Sequence, residues 1–186
     1  IVFSNSFPVV IESTIPIYEL ISDPTKINNT KKAVEEYIKK RQLDLLTPLY
    51  RYWHAKRSDH FYSIGHHPDG FSGWAYEGMM GYIYYKTKVP GTVTLYEFWD
   101  EKGWDHLYTT WGGWIPPKVH EGRWKLSDYI TGYIYPNKVE GTIPLYGFWN
   151  VKKWDHLVSL DRYPPELSYG WIYENIVGYI YPVVKE

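Results

Sequence analysis

An aspartate followed directly by a histidine occurs three times, each time nine residues after a tyrosine of a repeated stretch. The three pairs are Asp59-His60, Asp105-His106 and Asp155-His156. At the start of a strand, an aspartate can accept backbone N–H bonds and fix the turn, and the histidine can point inward and donate to a carbonyl. The same side chains can hydrogen-bond the hydroxyls of a sugar. The pairs therefore have both a structural and a binding interpretation.

Tryptophans accompany every pair, which favours the binding interpretation. The strand tryptophans, six residues before each aspartate, are Trp53, Trp99 and Trp149. Trp104 and Trp154 directly precede the second and third aspartates, where the first has Ser58. An indole stacks on the C–H face of a sugar while fixed donors and acceptors bind its hydroxyls. We therefore expect sugar sites that are stronger in the second and third positions, with the alternative that the strand tryptophans belong to the core.

An insertion adds further aromatic side chains to the middle of the chain. Between His106 and Trp124 lie 17 residues, against 13 between His60 and Trp74. The longer segment contains Trp111 and Trp114 around a glycine pair, which indicates a loop whose rings contact a ligand or partner, or else pack locally. The candidate ligand-binding residues are Asp59, His60, Trp104, Asp105, His106, Trp111, Trp114, Trp154, Asp155 and His156.

Other side chains give weaker signals for chemistry. A carboxylate before a closing glycine recurs as Glu77, Asp128 and Glu174, which favours a role as turn acceptors. His66 and His67 are adjacent and would point to opposite faces of a strand, so no metal site and no cofactor is expected. The chain has no P-loop, nucleophile elbow, HExxH or GxGxxG motif, and we predict no enzymatic activity. The alternative is a glycoside hydrolase in which an aspartate and a glutamate converge to form the catalytic carboxylate pair.

The elements that position these residues follow from a period of roughly 46–50 residues. Each copy contains four short runs of alternating aromatic and β-branched residues, separated by glycine and proline turns, and closes on the letters GYIY. Three copies of four strands predict an all-β, pseudo-threefold, β-trefoil-like domain, with a small propeller or a sandwich as alternatives. We predict one domain over 1–186, with copies at 47–91, 92–141 and 142–186. The extension 1–46 is predicted to hold a strand and a helix over 30–42.

Composition restricts the partners and the compartment. The chain has 186 residues and a formal net charge of −1, so it has no overall positive electrostatic potential that would attract nucleic acid. It has no cysteine and therefore forms no disulfide. No apolar run is long enough to predict a membrane span. The chain begins at Ile1 rather than methionine, and Asn28 stands in an N-glycosylation sequon. Together these features predict a secreted protein that is glycosylated at Asn28.

The phrases PLYRYW, SDHFYS and WAYEGMMGYIYY resemble a tandem-repeat family of unknown function. Its hallmark reads approximately PLYRFYN, GDHFYT and GYxYEG, and the resemblance covers residues 47–182. The hallmark glycine before the Asp-His pair is Ser58, Trp104 or Trp154 here. The resemblance implies an extracellular binding or accessory module, often attached to secreted hydrolases.

We therefore predict a secreted, lectin-like, non-enzymatic module that binds a glycan or glycoprotein. A protein-interaction or inhibitor module, and an aromatic-rich structural or storage protein, are the alternatives.

Overall fold

A computed structural model describes residues 32, 33, 36, 39–111 and 124–183. The chain divides into two units between Asp44 and Leu45, and each is described by itself. In the first unit, residues 32, 33, 36 and 39–43 are helical, which confirms the predicted N-terminal helix. The predicted N-terminal strand and the Asn28 sequon lie outside the described residues. Within the described part of the chain, no helix is long and apolar enough to cross a membrane.

The second unit is built from antiparallel strands, which confirms the all-β prediction. Its described residues form β1 (Leu46–His54), β2 (Asp59–Ser63), β3 (Ala75–Tyr84), β4 (Val93–Asp100), β5 (Asp105–Thr109), β6 (Trp124–Leu126), β7 (Gly132–Ile134), β8 (Ile143–Asn150), β9 (Asp155–Ser159) and β10 (Ile172–Ile180). Two short 3-10 helices span Phe71–Gly73 and Pro165–Tyr169. One sheet has the order β2-β1-β3-β7-β4-β5 with β6 paired to β4, and the other has the order β10-β8-β9.

Three hairpins with the same register carry the Asp-His pairs. They are β1–β2, β4–β5 and β8–β9. In each, the histidine lies opposite the strand tryptophan, as in the pairs Trp53 with His60, Trp99 with His106 and Trp149 with His156. Each aspartate begins the second strand of its hairpin. The shared spacing between the tryptophan and the Asp-His pair is therefore the spacing of one tight hairpin.

The strand that returns along β1 differs from the prediction. The sequence predicted four short strands in each copy, but β3 is one continuous strand where two of them were expected, and it pairs with β1 from Leu46 to Trp53 with two register shifts. Bulges of this kind let a strand bend without ending. Gly81 has a φ of 151° and approaches the carbonyl oxygen of Tyr181 so closely that a Cβ would collide with it. The glycine of the closing GYIY phrase is thus required where β3 meets the segment at Tyr181.

The core lies where the three hairpins face one another. Equivalent residues of the copies fill it in layers, namely Leu49, Leu95 and Leu145, and Ile83, Ile134 and Ile180. A tyrosine layer joins them. The Tyr62 hydroxyl donates to the carbonyl of Val158 at 2.7 Å and accepts that residue's backbone N–H at 2.7 Å. The Tyr108 hydroxyl accepts the backbone N–H of Tyr62 at 3.1 Å, and its single proton is shared between the carbonyl of Tyr62 at 3.3 Å and Oε2 of Glu97 at 3.0 Å.

We predict that Tyr62→Phe lowers the free energy of unfolding by about 1–3 kcal/mol, because a buried N–H and a buried carbonyl lose their partner. Urea denaturation followed by tryptophan fluorescence measures the change. Tyr163→Phe is the control, since Tyr163 is 75% exposed and its substitution should change stability by less than about 0.5 kcal/mol. Equal urea midpoints for the two variants would contradict the role of the hydroxyl.

Candidate functional site

The Asp-His pairs are connected between hairpins rather than within them. In each connection, the aspartate accepts the backbone N–H of the next histidine through Oδ1 and faces its Nδ1 through Oδ2. The Oδ2–Nδ1 distances are 2.8 Å for Asp59–His106, 2.7 Å for Asp105–His156 and 2.7 Å for Asp155–His60. The three hairpins are thereby connected in a closed cycle. The partner of each histidine is a carboxylate of another copy, where the sequence had suggested a carbonyl.

The three aspartates are completely buried. Carboxylate oxygens of Asp59, Asp105 and Asp155 lie within 4.8 Å of one another, a spacing that would suit one small cation. Each carboxylate already faces a backbone N–H and an imidazole nitrogen of a histidine in another hairpin. Burial, reinforced by the charges of Asp105 and Asp59, raises the pKa of Asp155 to about 9. Burial also raises the pKa of Asp59, although its bond to His106 opposes the shift.

The histidines are fixed in orientation by these contacts. Because Nδ1 faces an aspartate, Nε2 is the ring nitrogen left for other contacts. In the third copy, Nε2 of His156 lies 4.0 Å from Oε2 of Glu174. Burial opposes protonation of this imidazole, but the carboxylates of Asp105, Glu174 and Asp155 outweigh it and raise the pKa of His156. The raised pKa favours the imidazolium form, in which Nε2 carries a hydrogen that it can donate.

Each imidazole lies against the strand tryptophan of its own hairpin. The ring centroids are 4.6 Å apart for Trp53–His60, 4.3 Å for Trp99–His106 and 4.4 Å for Trp149–His156. The strand tryptophans are half-buried. An indole beside an oriented imidazole therefore occurs in every copy, and the neighbouring side chains decide whether a ligand can reach it.

Trp104 and Trp154 lie at the hairpin tips with a left-handed φ of 57°. Trp104 is 44% exposed, and the guanidinium of Arg57 lies 4.3 Å from the centroid of its ring. Trp154 is half-buried, and its Nε1 donates to Oδ2 of Asp100 at 3.3 Å. Both rings therefore contact the preceding copy.

The site around His60 in the first copy is filled by the protein's own cations. Nε of Arg51 pairs with Oε2 of Glu77 at 2.8 Å, and Nε2 of His60 lies 3.7 Å from the same oxygen. The ammonium of Lys153 lies 5.3 Å from the centroid of Trp53. Intramolecular contacts thus occupy the positions that a ligand would need in this copy.

The equivalent place in the third copy is a pocket of about 260 Å³. Trp149, His156, Glu174 and Asn175 line it, and Thr109 of the second copy completes its polar side. An aromatic surface, a fixed imidazole, a carboxylate and a carboxamide therefore converge on one space. Such a combination can stack on a ring and hydrogen-bond its substituents.

The pocket exists because two side chains of the other copies are absent here. Val158 stands where the first two copies have Tyr62 and Tyr108, and valine has no hydroxyl to reach across to the neighbouring strand. Gly147 stands where the first copy has Arg51. A Cβ at position 147 would lie 2.9 Å from Oδ1 of Asn175, so a side chain there would displace this amide.

A second hollow continues the pocket toward the insertion. It has a volume of about 280 Å³ and shares Thr109, Asn175 and Val177 with the pocket. Trp111 borders it and is 67% exposed. We call the pocket and this hollow together the third-copy groove. Trp114 lies outside the described residues.

A wider and shallower depression surrounds His106 in the second copy. Glu97, Trp99 and Asp128 border it. The carboxylate of Glu97 is already bound by the Tyr108 hydroxyl at 3.0 Å, and burial raises the pKa of Glu97. Of the two open sites, the one at His156 is therefore the more enclosed and has the carboxylate with fewer internal bonds.

The sequence-predicted residues are distributed unevenly over this surface. His156 and Trp111 border the third-copy groove and His106 borders the second-copy depression, whereas the aspartates lie beneath the histidines and can act on a ligand only through them. Gly147 and Asn175 were not identified from the sequence. The signal for Gly147 was present in the repeated text, where PLYGFW replaces PLYRYW.

One family of proteins has a sequence model that matches this chain. A family model described as "Domain of unknown function (DUF5648)" matches residues 29–113 and again residues 72–181. The chain belongs to this family. Two overlapping matches to one DUF5648 model agree with an internal repeat. Comparison with curated proteins and with solved structures found no match.

The buried aspartates predict how the stability of this DUF5648 domain depends on pH. Unfolded, the carboxyl of Asp155 has its ordinary pKa of 3.8, whereas the folded protein holds the proton up to about pH 9. Folding therefore takes up a proton between these values, and stability falls as the pH rises through this range, by at most about 1.4 kcal/mol per pH unit. The raised pKa of His156 acts in the same direction.

Asp155→Asn should make the decline in melting temperature between about pH 5 and pH 9 shallower, because the neutral amide has no proton to lose. Differential scanning calorimetry across this range measures the slope. The matched control is Asp161→Asn, since Asp161 is exposed and its substitution should leave the slope unchanged. A wild-type melting temperature that rises with pH in this range would contradict the interpretation.

Proposed function

We propose that the β unit is a lectin-like, non-enzymatic carbohydrate-binding module whose main site is the third-copy groove. The observation that carries this proposal is the position of Trp149 in one pocket with His156, Glu174 and Asn175. A half-buried indole offers a flat apolar surface, and the three polar side chains offer donors and acceptors around its edge. This is the chemistry of a pyranose ring, which has apolar C–H faces and an equatorial rim of hydroxyls.

The continuation of the groove supports an oligosaccharide rather than a single sugar. The two hollows share Asn175 and Thr109, and Trp111 borders the outer one. A second aromatic ring along the same groove gives a second stacking surface. Thr110 donates from Oγ1 to the carbonyl of Val177 at 3.2 Å, which fixes the segment that leads to Trp111.

The architecture that we propose is pseudo-threefold, as in a β-trefoil-like domain or a three-bladed propeller. Its support is the closed cycle of Asp-to-His contacts and the common register of the three hairpins. Strands β8, β9 and β10 of the third copy form their own three-stranded sheet, which favours the propeller-like alternative.

A secreted location is part of the same proposal. Its support is the Asn28 sequon together with the resemblance to modules that accompany secreted hydrolases. An accessory role is compatible with binding without catalysis, because a module that holds an enzyme near its polymer raises the local substrate concentration.

A protein-interaction module is the second candidate, and exposed aromatic side chains favour it. Tyr163 and Tyr169 of the third copy are 75% and 68% exposed. The guanidinium of Arg162 lies 3.3 Å from the centroid of Tyr173 on the same copy. Tyrosine and arginine are enriched in protein interfaces.

We predict that calorimetric titration with neutral oligosaccharides finds binding near the millimolar range, about −4 kcal/mol per site. Trp149→Ala should weaken the best of these interactions by roughly tenfold, because it removes the stacking surface. Trp99→Ala is the matched control from the second copy and should change affinity by less than about twofold. Melting temperatures establish that both variants are folded.

Absence of binding to every glycan of a broad array would refute the carbohydrate proposal. An equal loss of affinity in the Trp149 and Trp99 variants would move the site away from the third-copy groove.

A further inference from the structure

The first and third copies have a glutamate at the same position, but the side chains that contact it differ. Glu77 and Glu174 occupy equivalent positions, each with Oε2 near Nε2 of a histidine, at 3.7 Å from His60 and 4.0 Å from His156. In the first copy, Arg51 completes the arrangement by pairing with Glu77 at 2.8 Å. In the third copy, glycine stands at the position of this arginine.

Backbone pairing shows that the two positions are structurally equivalent. Arg51 lies opposite Gly78 in the β1–β3 pairing, and Gly147 lies opposite Asn175 in the β8–β10 pairing. The same strand position therefore has a large cation facing a glycine in one copy, and a glycine facing an asparagine in the other. The pocket of about 260 Å³ borders Gly147 and Glu174. The space that Arg51 fills in the first copy is thus open to solvent in the third.

We infer that the third-copy pocket binds a positively charged nitrogen, and that its ligand is a glycan with free amino groups, a poly-amino sugar. The ammonium would take the place that the Arg51 guanidinium has in the first copy, beside the Glu174 carboxylate. The sugar ring would lie on Trp149. This inference rests on the proposed carbohydrate-binding function and adds the charge of the ligand to it.

The charges around the pocket support a cationic ligand. Among the described residues that line the pocket and the adjoining hollow, none is lysine or arginine. The side chain of Glu174 is 41% exposed, so a ligand can reach it. His156 also faces the pocket; the raised pKa of its imidazole favours a positive charge, which the Asp105 carboxylate at 2.7 Å from Nδ1 balances. A carboxylate beside an indole attracts an ammonium both as an ion pair and through the ring face.

Two oligosaccharides of equal length provide the test. Hexamers of glucosamine and of N-acetylglucosamine differ in the charge of the nitrogen, and titration at about pH 6 keeps the free amines protonated. We expect the glucosamine hexamer to bind roughly tenfold more tightly, because only its ammonium can pair with Glu174. Glu174→Gln should remove this preference, so that the two hexamers bind with equal affinity. Glu77→Gln is the matched control and should preserve the preference.

A second variant transfers the first-copy arrangement into the third copy. Gly147→Arg combined with Asn175→Gly places an internal guanidinium beside Glu174 and makes room for it by removing the amide that a Cβ would contact. We expect this double variant to remain folded and to lose binding of the glucosamine hexamer. Retained binding with an unchanged melting temperature would overturn the inference.

The outcomes separate this inference from the proposed function. Equal affinity for the two hexamers would overturn the charge preference and leave a carbohydrate-binding module. No binding of either hexamer, together with binding of another neutral glycan, would do the same. Binding of the peptide Gly-Lys-Gly as tightly as the glucosamine hexamer would overturn the assignment to a sugar, because the cation alone would then be recognised. No binding of any glycan would refute the proposed function itself.

Discussion

The contact between an aspartate of one hairpin and a histidine of the next is the constraint on which the β unit depends. Each aspartate receives two bonds from one partner, a backbone N–H and an imidazole nitrogen, so it fixes both the position of the neighbouring strand and the direction of its histidine. No disulfide is available to do this, since the chain has no cysteine. Three buried carboxylates within 4.8 Å of one another are costly. They are tolerated because each carboxyl is bound by a backbone N–H and an imidazole nitrogen, and because the raised pKa of Asp155 keeps that carboxyl protonated at neutral pH.

The same contact holds an imidazole beside the strand tryptophan in every copy, and side chains elsewhere decide in which copy this place is open. An imidazole held through Nδ1 turns Nε2 toward the surface beside the strand tryptophan. In the first copy, Arg51 and Lys153 fill this position. In the third, Gly147 and Val158 leave it empty. Two small side chains thus leave one pocket open in the third copy, while the contacts between aspartates and histidines are the same as in the other copies.

Local features of this molecule could be predicted from the sequence, and contacts between copies could not. The hairpins follow from the alternation and from the fixed spacing of Trp53 and Asp59, and the N-terminal helix was predicted over 30–42. The partner of each aspartate lies 47, 51 or 95 residues away, so no local pattern identifies it. The pocket was harder still, because it arises from a missing arginine and a missing hydroxyl, and only a comparison of the copies with one another makes such absences visible.

The residues at the hairpin tips have a strained backbone, and one of them also packs against the pocket. Ser58, Trp104 and Trp154 all have φ near 55–57°, so the hairpin imposes this left-handed conformation whatever the side chain. The conformation costs a non-glycine residue about 1 kcal/mol or more. For Trp154 this cost is offset by its bond to Asp100 and by its packing on Trp149 at 5.3 Å. Because Trp149 is also the aromatic surface of the pocket, Trp154 supports it from the side and restricts its motion. A strained tip therefore holds the aromatic ring that we propose as the carbohydrate-stacking surface, and an aromatic ring held by its neighbours loses less entropy when a ligand stacks on it.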